Sequence, residues 1–345
     1  MIGANTLDIG ALDSSMHDAG AVAGGIWIAI LFLVSLVGTW VARRYAMHRE
    51  LLDQPGERRS HDVATPRGGG IAIVVSLLLA TLWLIAQEPA HAPMLGAFAA
   101  GLSLVAGIGW LDDHRPLSPW PRLAVQGIAA LLLAWGVHRE GGGLTAVAIA
   151  FLAAMILVNV WNFMDGIDGL AVTQALLVAL GFGLLAGSDA VSWLSLALVA
   201  ACLGFLPYNL PKARIFLGDV GSGALGYALA ALGSWLLLRD HTTRASTLLL
   251  LLPLSAFLID ASLTLAARMI AGQRWWLPHT EHAYQHWVRR IHAHGRVTLA
   301  YGAWTFLATV CMLAMGKADP GFIIPMLAAV FVLGAIAWSS LRRDR

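Results

Sequence analysis

Charge is what this chain has least of. Only 12% of its 345 residues are Asp, Glu, Lys or Arg, while 58% are hydrophobic. A soluble globule carries roughly a quarter charged residues, so a water-soluble fold is excluded. Cysteine is nearly absent as well. Cys202 and Cys311 lie far apart inside apolar runs with no metal-ligand spacing, which excludes a cysteine-built zinc site and leaves them as small core residues. No internal repeat or low-complexity linker divides the chain, so a single polytopic domain over 1–345 is expected. The segment before the first apolar run holds Asp8, Asp13 and Asp18 but no Lys or Arg. That run is long and is followed by VARRY, so it reads as a retained helix and not as a cleaved signal.

What fills the chain instead is a series of uncharged apolar runs near the ~20 residues that a transmembrane helix needs. They cover about 22–42, 69–87, 93–111, 123–138, 144–161, 169–187, 190–208, 220–238, 246–267, 297–315 and 322–341. This predicts an all-α integral membrane protein of about eleven transmembrane helices. Eighteen of the twenty-two Lys and Arg residues fall in 43–68, 112–122, 209–219, 268–296 and the C-terminal tail. Together with 159–168 these segments form one alternating set of loops. Arg139, Arg239, Arg244 and Lys317 fall in the other set. The positive-inside rule puts the basic set in the cytoplasm and the N-terminus outside.

The polar motifs all belong to that same cytoplasmic set. In NFMDGID, Asp165 and Asp168 are three apart and could share a helical face with Asn162. A carboxylate costs ~2.5–3.5 kcal/mol at the centre of a membrane helix, which argues for use; a polar turn capping the next helix is the plainer alternative. FLGDVGS puts Asp219 at the start of an apolar helix, where small residues and free N–H groups can cradle phosphate. A carboxylate there would repel phosphate unless a cation lay between them, so Asp219 reads as a Mg²⁺ ligand, or else as a simple N-cap. GWLDDHRPLSPWPR ends one helix on Asp112 and Asp113, which diverge by about 100°, and opens the next with Arg122, a candidate phosphate contact. DQPGERRSHDVATPRGGG carries Asp53, Arg58, Arg59, His61 and Arg67; a basic juxtamembrane anchor is its bland reading. In HTEHAYQH, His282 and His286 are i, i+4, and phosphate or sugar contact suits them better than zinc. Asp260 stands alone in an apolar run, either functional or paired with a helix neighbour.

Six of these stretches in order, DQPGERRSH, TPRGGG, GWLDD, NFMDGIDGLA, YNLPKARIFLGDVGS and HTEHAYQH, resemble the polyprenyl-phosphate N-acetylhexosamine-1-phosphate transferases of glycosyltransferase family 4. The resemblance covers about residues 53–286. It implies transfer of a sugar-1-phosphate from a UDP-N-acetylhexosamine to undecaprenyl phosphate, with Mg²⁺ (or Mn²⁺ in its place), at the cytoplasmic face of the bacterial inner membrane, releasing UMP. It implies Asn162 and Asp219 as metal ligands and Asp112, Asp113, Asp165 and Asp168 as catalytic or nucleotide-contacting groups. Asp53, Arg58, His61, Arg122, Asn209 and His282 are then expected on the substrates. His282 is followed by AYQH, where the cell-wall branch carries adjacent histidines and the enterobacterial-antigen branch H-x-H-H. This pattern is more similar to the initiators of O-antigen synthesis. Expected partners are the two substrates and the bilayer, with a homodimer as an option and no nucleic acid.

Two other classes fit less well. A secondary transporter would place its polar residues at the bilayer midplane, often in an inverted repeat, whereas these gather at one face. A CDP-alcohol phosphotransferase resembles D-G-x-x-A-R with further acids nearby. Here DGIDGLAVTQALL has no Arg after Ala171 and no acid before Asp189.

Overall fold

The computed structural model describes residues 9–54, 63–238, 247–274, 276–277, 279–315 and 320–343, with backbone alone at 9–22 and 320. Arg58, Arg59 and His61 lie outside the described residues. The described chain is almost all helix. In order come α1 (Ile9–His48), α2 (Ile71–Gln87), α3 (Ala92–His114), α4 (Pro119–Arg139), α5 (Leu144–Met164), α6 (Leu170–Ala186) and α7 (Ala190–Asn209). Then follow α8 (Asp219–Leu236), α9 (Ser255–Ile270), α10 (Ala283–Ile291), α11 (His294–Met315) and α12 (Pro320–Arg342). A helix satisfies its own backbone hydrogen bonds, which is what an apolar run needs in a medium that offers none.

Among the described residues, seven helices are long and apolar enough to cross a membrane, those at 23–48, 89–114, 119–139, 144–164, 190–209, 294–315 and 321–342. Helices α2 and α6 are apolar but only 17 residues long. The first helix runs on past Arg43 and Arg44 to His48, beyond the apolar run that announces it. The basic 268–296 segment is not a plain loop, since it folds a nine-residue helix, α10, with Tyr284 and Val288 buried and Arg289 and Arg290 exposed.

Helix α8 is the axis of the molecule. It packs on α3, α5, α6 and α7 and is buried along nearly its whole length. Lipid tails are as apolar as leucine, so helices here gain by close van der Waals packing, which small residues allow. Gly226 shows the consequence: a Cβ there would stand 2.2 Å from the carbonyl oxygen of Leu157 on α5. Tyr227 OH reaches across to donate to Ala129 O on α4 at 3.2 Å.

The expectation that both cysteines are core residues holds for one of them. Cys202 is buried, whereas Cys311 is exposed on the flank of α11. Apolar surroundings in sequence do not say which face of a membrane helix meets protein and which meets lipid.

Among the described residues, one pair of two-residue strands interrupts the helices. β1 (Leu52–Asp53) and β2 (Thr65–Pro66) run antiparallel, with Asp53 opposite Thr65. Past β2 the TPRGGG stretch lies along the loop before α8. Phe216 N donates to Pro66 O, Gly69 N to Phe216 O and Gly70 N to Leu217 O, at 2.8–3.0 Å. Two motifs 150 residues apart are thereby stitched together at the end of α8 where Asp219 stands.

Candidate active site

Four helix ends meet around one guanidinium. Arg122 opens α4, and its Nη1 lies 2.8 Å from Asp112 Oδ2 at the end of α3 and 3.1 Å from Asp219 Oδ2 at the start of α8. Its Nη2 donates to Asn162 Oδ1 on the last turn of α5 at 3.3 Å. The Asn162 amide donates in turn to Asp219 Oδ1 (2.7 Å) and Ser222 Oγ (3.1 Å). Ser222, beside Asp219 in the FLGDVGS motif, sits one helical turn after it and joins this group through Asn162.

Asp112 and Asp113 do diverge, as adjacent helical residues must. Asp112 turns to Arg122 and accepts from Leu117 N at 2.6 Å. Asp113 turns inward, 3% exposed, and accepts from Asp219 N and Val220 N at 3.1 and 3.2 Å. It is therefore the side chain that caps α8, from a different helix. Gly218 makes room for it: φ is +74°, and a Cβ would sit 2.5 Å from Asp113 Oδ2.

These contacts revise two expectations. Asp219 is not an N-cap, since it is the first residue of α8. The first two N–H groups of α8 are not open to a phosphate, because Asp113 already accepts from both. Arg67 has a definite place too. It donates to the Asp113 carbonyl, and its Nε lies 3.9 Å from Asp113 Oδ1, so the TPRGGG arginine braces the acid pair and is more than an anchor.

Asp165 and Asp168 do not share a helical face, because α5 ends at Met164 and both lie in the turn that follows. Asp165 stays near the cluster. Its enclosure by protein, then the like charges of Asp219, Asp113 and Asp53, hold its carboxyl well above the usual range. Asp168 faces elsewhere: Oδ2 accepts from Ala213 N at 3.2 Å, and Oδ1 lies 3.2 Å from His294 Nδ1. Asn209, 3% exposed, accepts from Gly169 N and donates to Ile215 O. These two residues brace the YNLPKAR segment against the turn. Asp53 is buried in β1.

His282 is 2% exposed and stands at the N-cap of α10. Its ring stacks on His279 (4.9 Å between centroids), Tyr284 (5.8 Å) and Phe163 (6.2 Å). Burial, followed by the proximity of His282 and of the Arg268 and Arg342 guanidinium groups, pushes the neighbouring His279 imidazole down to about 4. A cavity of about 310 Å³ lies at Asp260, Tyr301, Trp304 and Trp338, away from the acidic cluster. The polar meeting of helix ends and that apolar hollow are thus separate places in the fold.

Among the described residues no three His, Cys, Asp or Glu side chains converge as a metal cage. Mg²⁺ rarely needs one, since it is held by one or two carboxylates, with waters and substrate phosphates completing its octahedron. Asp219 offers one hard oxygen. Asn162 points its amide nitrogen at Asp219 and its oxygen at Arg122, so a rotation of that amide would bring a second oxygen to the pair, and Asp112 is joined to both through Arg122.

Residues 94–236, from α3 through α8, match glycosyl transferase family 4. Over 92% of both chains the protein is 30% identical to the decaprenyl-phosphate N-acetylglucosaminephosphotransferase of Mycobacterium tuberculosis. The chain belongs to this family. It is also 28% identical to the probable undecaprenyl-phosphate N-acetylglucosaminyl 1-phosphate transferase of Bacillus subtilis, over 92% of this chain and 88% of that one. To the phospho-N-acetylmuramoyl-pentapeptide-transferase of Thermosynechococcus vestitus it is 33% identical, over 60% and 62% of the two chains. The family segment takes in Asp112, Asp113, Arg122, Asn162, Asp165, Asp168, Asn209 and Asp219, and leaves the histidine segment outside.

Proposed function

We propose that this family 4 protein transfers N-acetylhexosamine-1-phosphate from a UDP-sugar to undecaprenyl phosphate and releases UMP, as the first membrane step of O-antigen or related envelope-glycan synthesis. The observation that carries the reading is the Asp112–Arg122–Asn162–Asp219 cluster, where four helices deliver acid, amide and guanidinium to one point. The names of the similar proteins support a polyprenyl phosphate acceptor and a hexosamine-1-phosphate group. Transport and CDP-alcohol chemistry find no support in them.

The reaction joins two multiply charged anions. An oxygen of the lipid phosphate attacks the sugar-bearing phosphorus, the bond to the bridging oxygen breaks, and UMP leaves with that oxygen. Repulsion is the first obstacle, so positioned positive charge is the main catalytic need. Arg122 stands ready for this, sharing its guanidinium between two carboxylates that a phosphate can replace. Asp219 and Asn162 would hold Mg²⁺, or Mn²⁺ in its place, which would supply charge neutralisation and orientation of phosphate oxygens. The acceptor monoester has a second pKa of ~6 and is largely dianionic at neutral pH. Asp112 then serves as base for the residual proton or as positioning group, and Asp165 contacts nucleotide. Arg58 and His61, with the buried Asp53 and His282, remain the substrate contacts that the motifs imply, and Asp168 and Asn209 brace the loop beside the cluster.

In this reading eleven helices span the bacterial inner membrane, with the N-terminus outside and the cluster facing the cytoplasm, where nucleotide sugars are found. Eighteen of twenty-two basic residues on that side support the orientation. A homodimer is compatible with it. The deciding experiment incubates purified protein with undecaprenyl phosphate, Mg²⁺ and a panel of UDP-sugars and follows UMP. Release that depends on both lipid and one N-acetylated sugar is expected; no release with any member of the panel would sink the proposal.

A further inference from the structure

Asp260 takes no part in the acidic cluster, yet it is among the most heavily used carboxylates in the protein. It lies within α9, in an otherwise apolar stretch, and is 2% exposed. Its Oδ1 accepts from Ala283 N at 2.8 Å and from Thr264 Oγ1 at 3.2 Å. Its Oδ2 accepts from Tyr284 N at 3.1 Å and from Tyr301 OH at 2.8 Å. The first two N–H groups of α10 are thus satisfied by a side chain of another helix. A nine-residue helix is too short to stand alone in water, and its N-terminal donors carry partial positive charge that a carboxylate suits.

The same turn of α10 reaches the reaction site. Tyr284 is fully buried, and its OH donates to Phe163 O at 3.1 Å, the residue after Asn162. Gly166, next to Asp165, leaves space for that hydroxyl: a Cβ there would stand 2.1 Å from it. His282, immediately before α10, has its Nδ1 3.5 Å from Asp260 Oδ1.

We propose that Asp260 is a positioning residue. It pins the start of α10 so that His282 and Tyr284 meet the Asn162–Asp165 turn at a fixed separation, and it acts on turnover through His282. The inference rests on the transferase reading above and adds to it a residue outside the family segment. A carboxylate that merely stabilised α9 would affect folding alone, with no dependence on His282.

The test is a double-mutant cycle with Asp260→Asn and His282→Ala, read as UMP release by purified protein. Each single change should lower kcat by up to about a hundredfold, the scale on which misplacement of a reacting group acts, with KM for the UDP-sugar changed less. The double variant should be no worse than the more damaged single one. Should Asp260→Asn fail to fold, Tyr284→Phe replaces it; that change removes only the hydroxyl link and should show a smaller loss that vanishes in the His282→Ala background. Losses that multiply overturn the inference, as does an Asp260→Asn protein or a His282→Ala protein with parental turnover. A parent that releases no UMP sinks the transferase reading and this inference with it; a parent that turns over while the losses multiply sinks the inference alone.

Discussion

Arg122 Nη1 is shared by Asp112 and Asp219 at 2.8 and 3.1 Å, and this sharing makes the consequences of single substitutions separable. Asp219→Asn should nearly abolish turnover by weakening both the cation and its link to Arg122. Raised Mg²⁺ or Mn²⁺ should restore part of the rate, whereas Asp168→Asn, whose carboxylate holds Ala213 N and faces His294, should gain nothing from added metal. Turnover against metal concentration for both variants checks this; full activity of Asp219→Asn at limiting Mg²⁺ would rule out the ligand role. The adjacent acids should part company as well. Asp112→Asn should lose most at low pH and recover as pH rises from about 6 to 8.5, because the acceptor phosphate then loses its proton unaided. A flat loss across that range, or a phosphorylated aspartate trapped with UDP-sugar alone, would favour covalent catalysis instead. Asp113→Ala should show itself in the melting temperature, since it removes a buried cap worth about 0.5–2 kcal/mol.

At the scale of elements, the site depends on how closely α3 approaches α8. Gly109 is the point of contact: a Cβ would meet the Asp219 carbonyl oxygen at 2.4 Å and Val220 N at 2.6 Å. Backbone atoms cannot swing aside as a side-chain tip does, so Gly109→Ala must push the helices apart. Overpacking of this kind costs about 1–3 kcal/mol. The expected outcome is a lower melting temperature in detergent and a larger loss of turnover, because the displaced helices carry Asp112, Asp113 and Asp219. Ala at Gly107, where a Cβ meets nothing within 4 Å, is the control and should melt as the parent does. Equal behaviour of the two variants would remove α3–α8 contact as the determinant of the site.

For the whole molecule, the claim at stake is sidedness. Gly143 precedes α5 at the end opposite Asn162, and nothing lies within 4 Å of where its Cβ would be. Arg289 is exposed on α10. With Cys202 and Cys311 replaced, a membrane-impermeant thiol reagent applied to intact cells should modify Gly143→Cys and spare Arg289→Cys. Modification of both from outside would overturn the cytoplasmic placement of the cluster. The prediction follows from the bias in Lys and Arg and not from the packing, so it tests the sequence-based orientation independently of the site.

Hydropathy alone made this an all-helical membrane protein, because a stretch without charge can satisfy its backbone in lipid only as a helix. Order and spacing of the motifs carried the family resemblance, and that resemblance marked Asp112, Asn162, Asp165 and Asp219 as site candidates. Which of two neighbouring acids faces Arg122 and which caps α8 was decided by three-dimensional contacts between α3, α4 and α8, separated by tens of residues. The same holds for Asp168 and Asn209, spent on bracing a loop, and for Asp260, whose partners lie 23, 24 and 41 residues away. A linear pattern records that a polar atom is present. The direction it points, and hence whether it meets backbone, ion pair or substrate, depends on helix approach distances that glycines such as Gly109 and Gly218 permit but cannot announce.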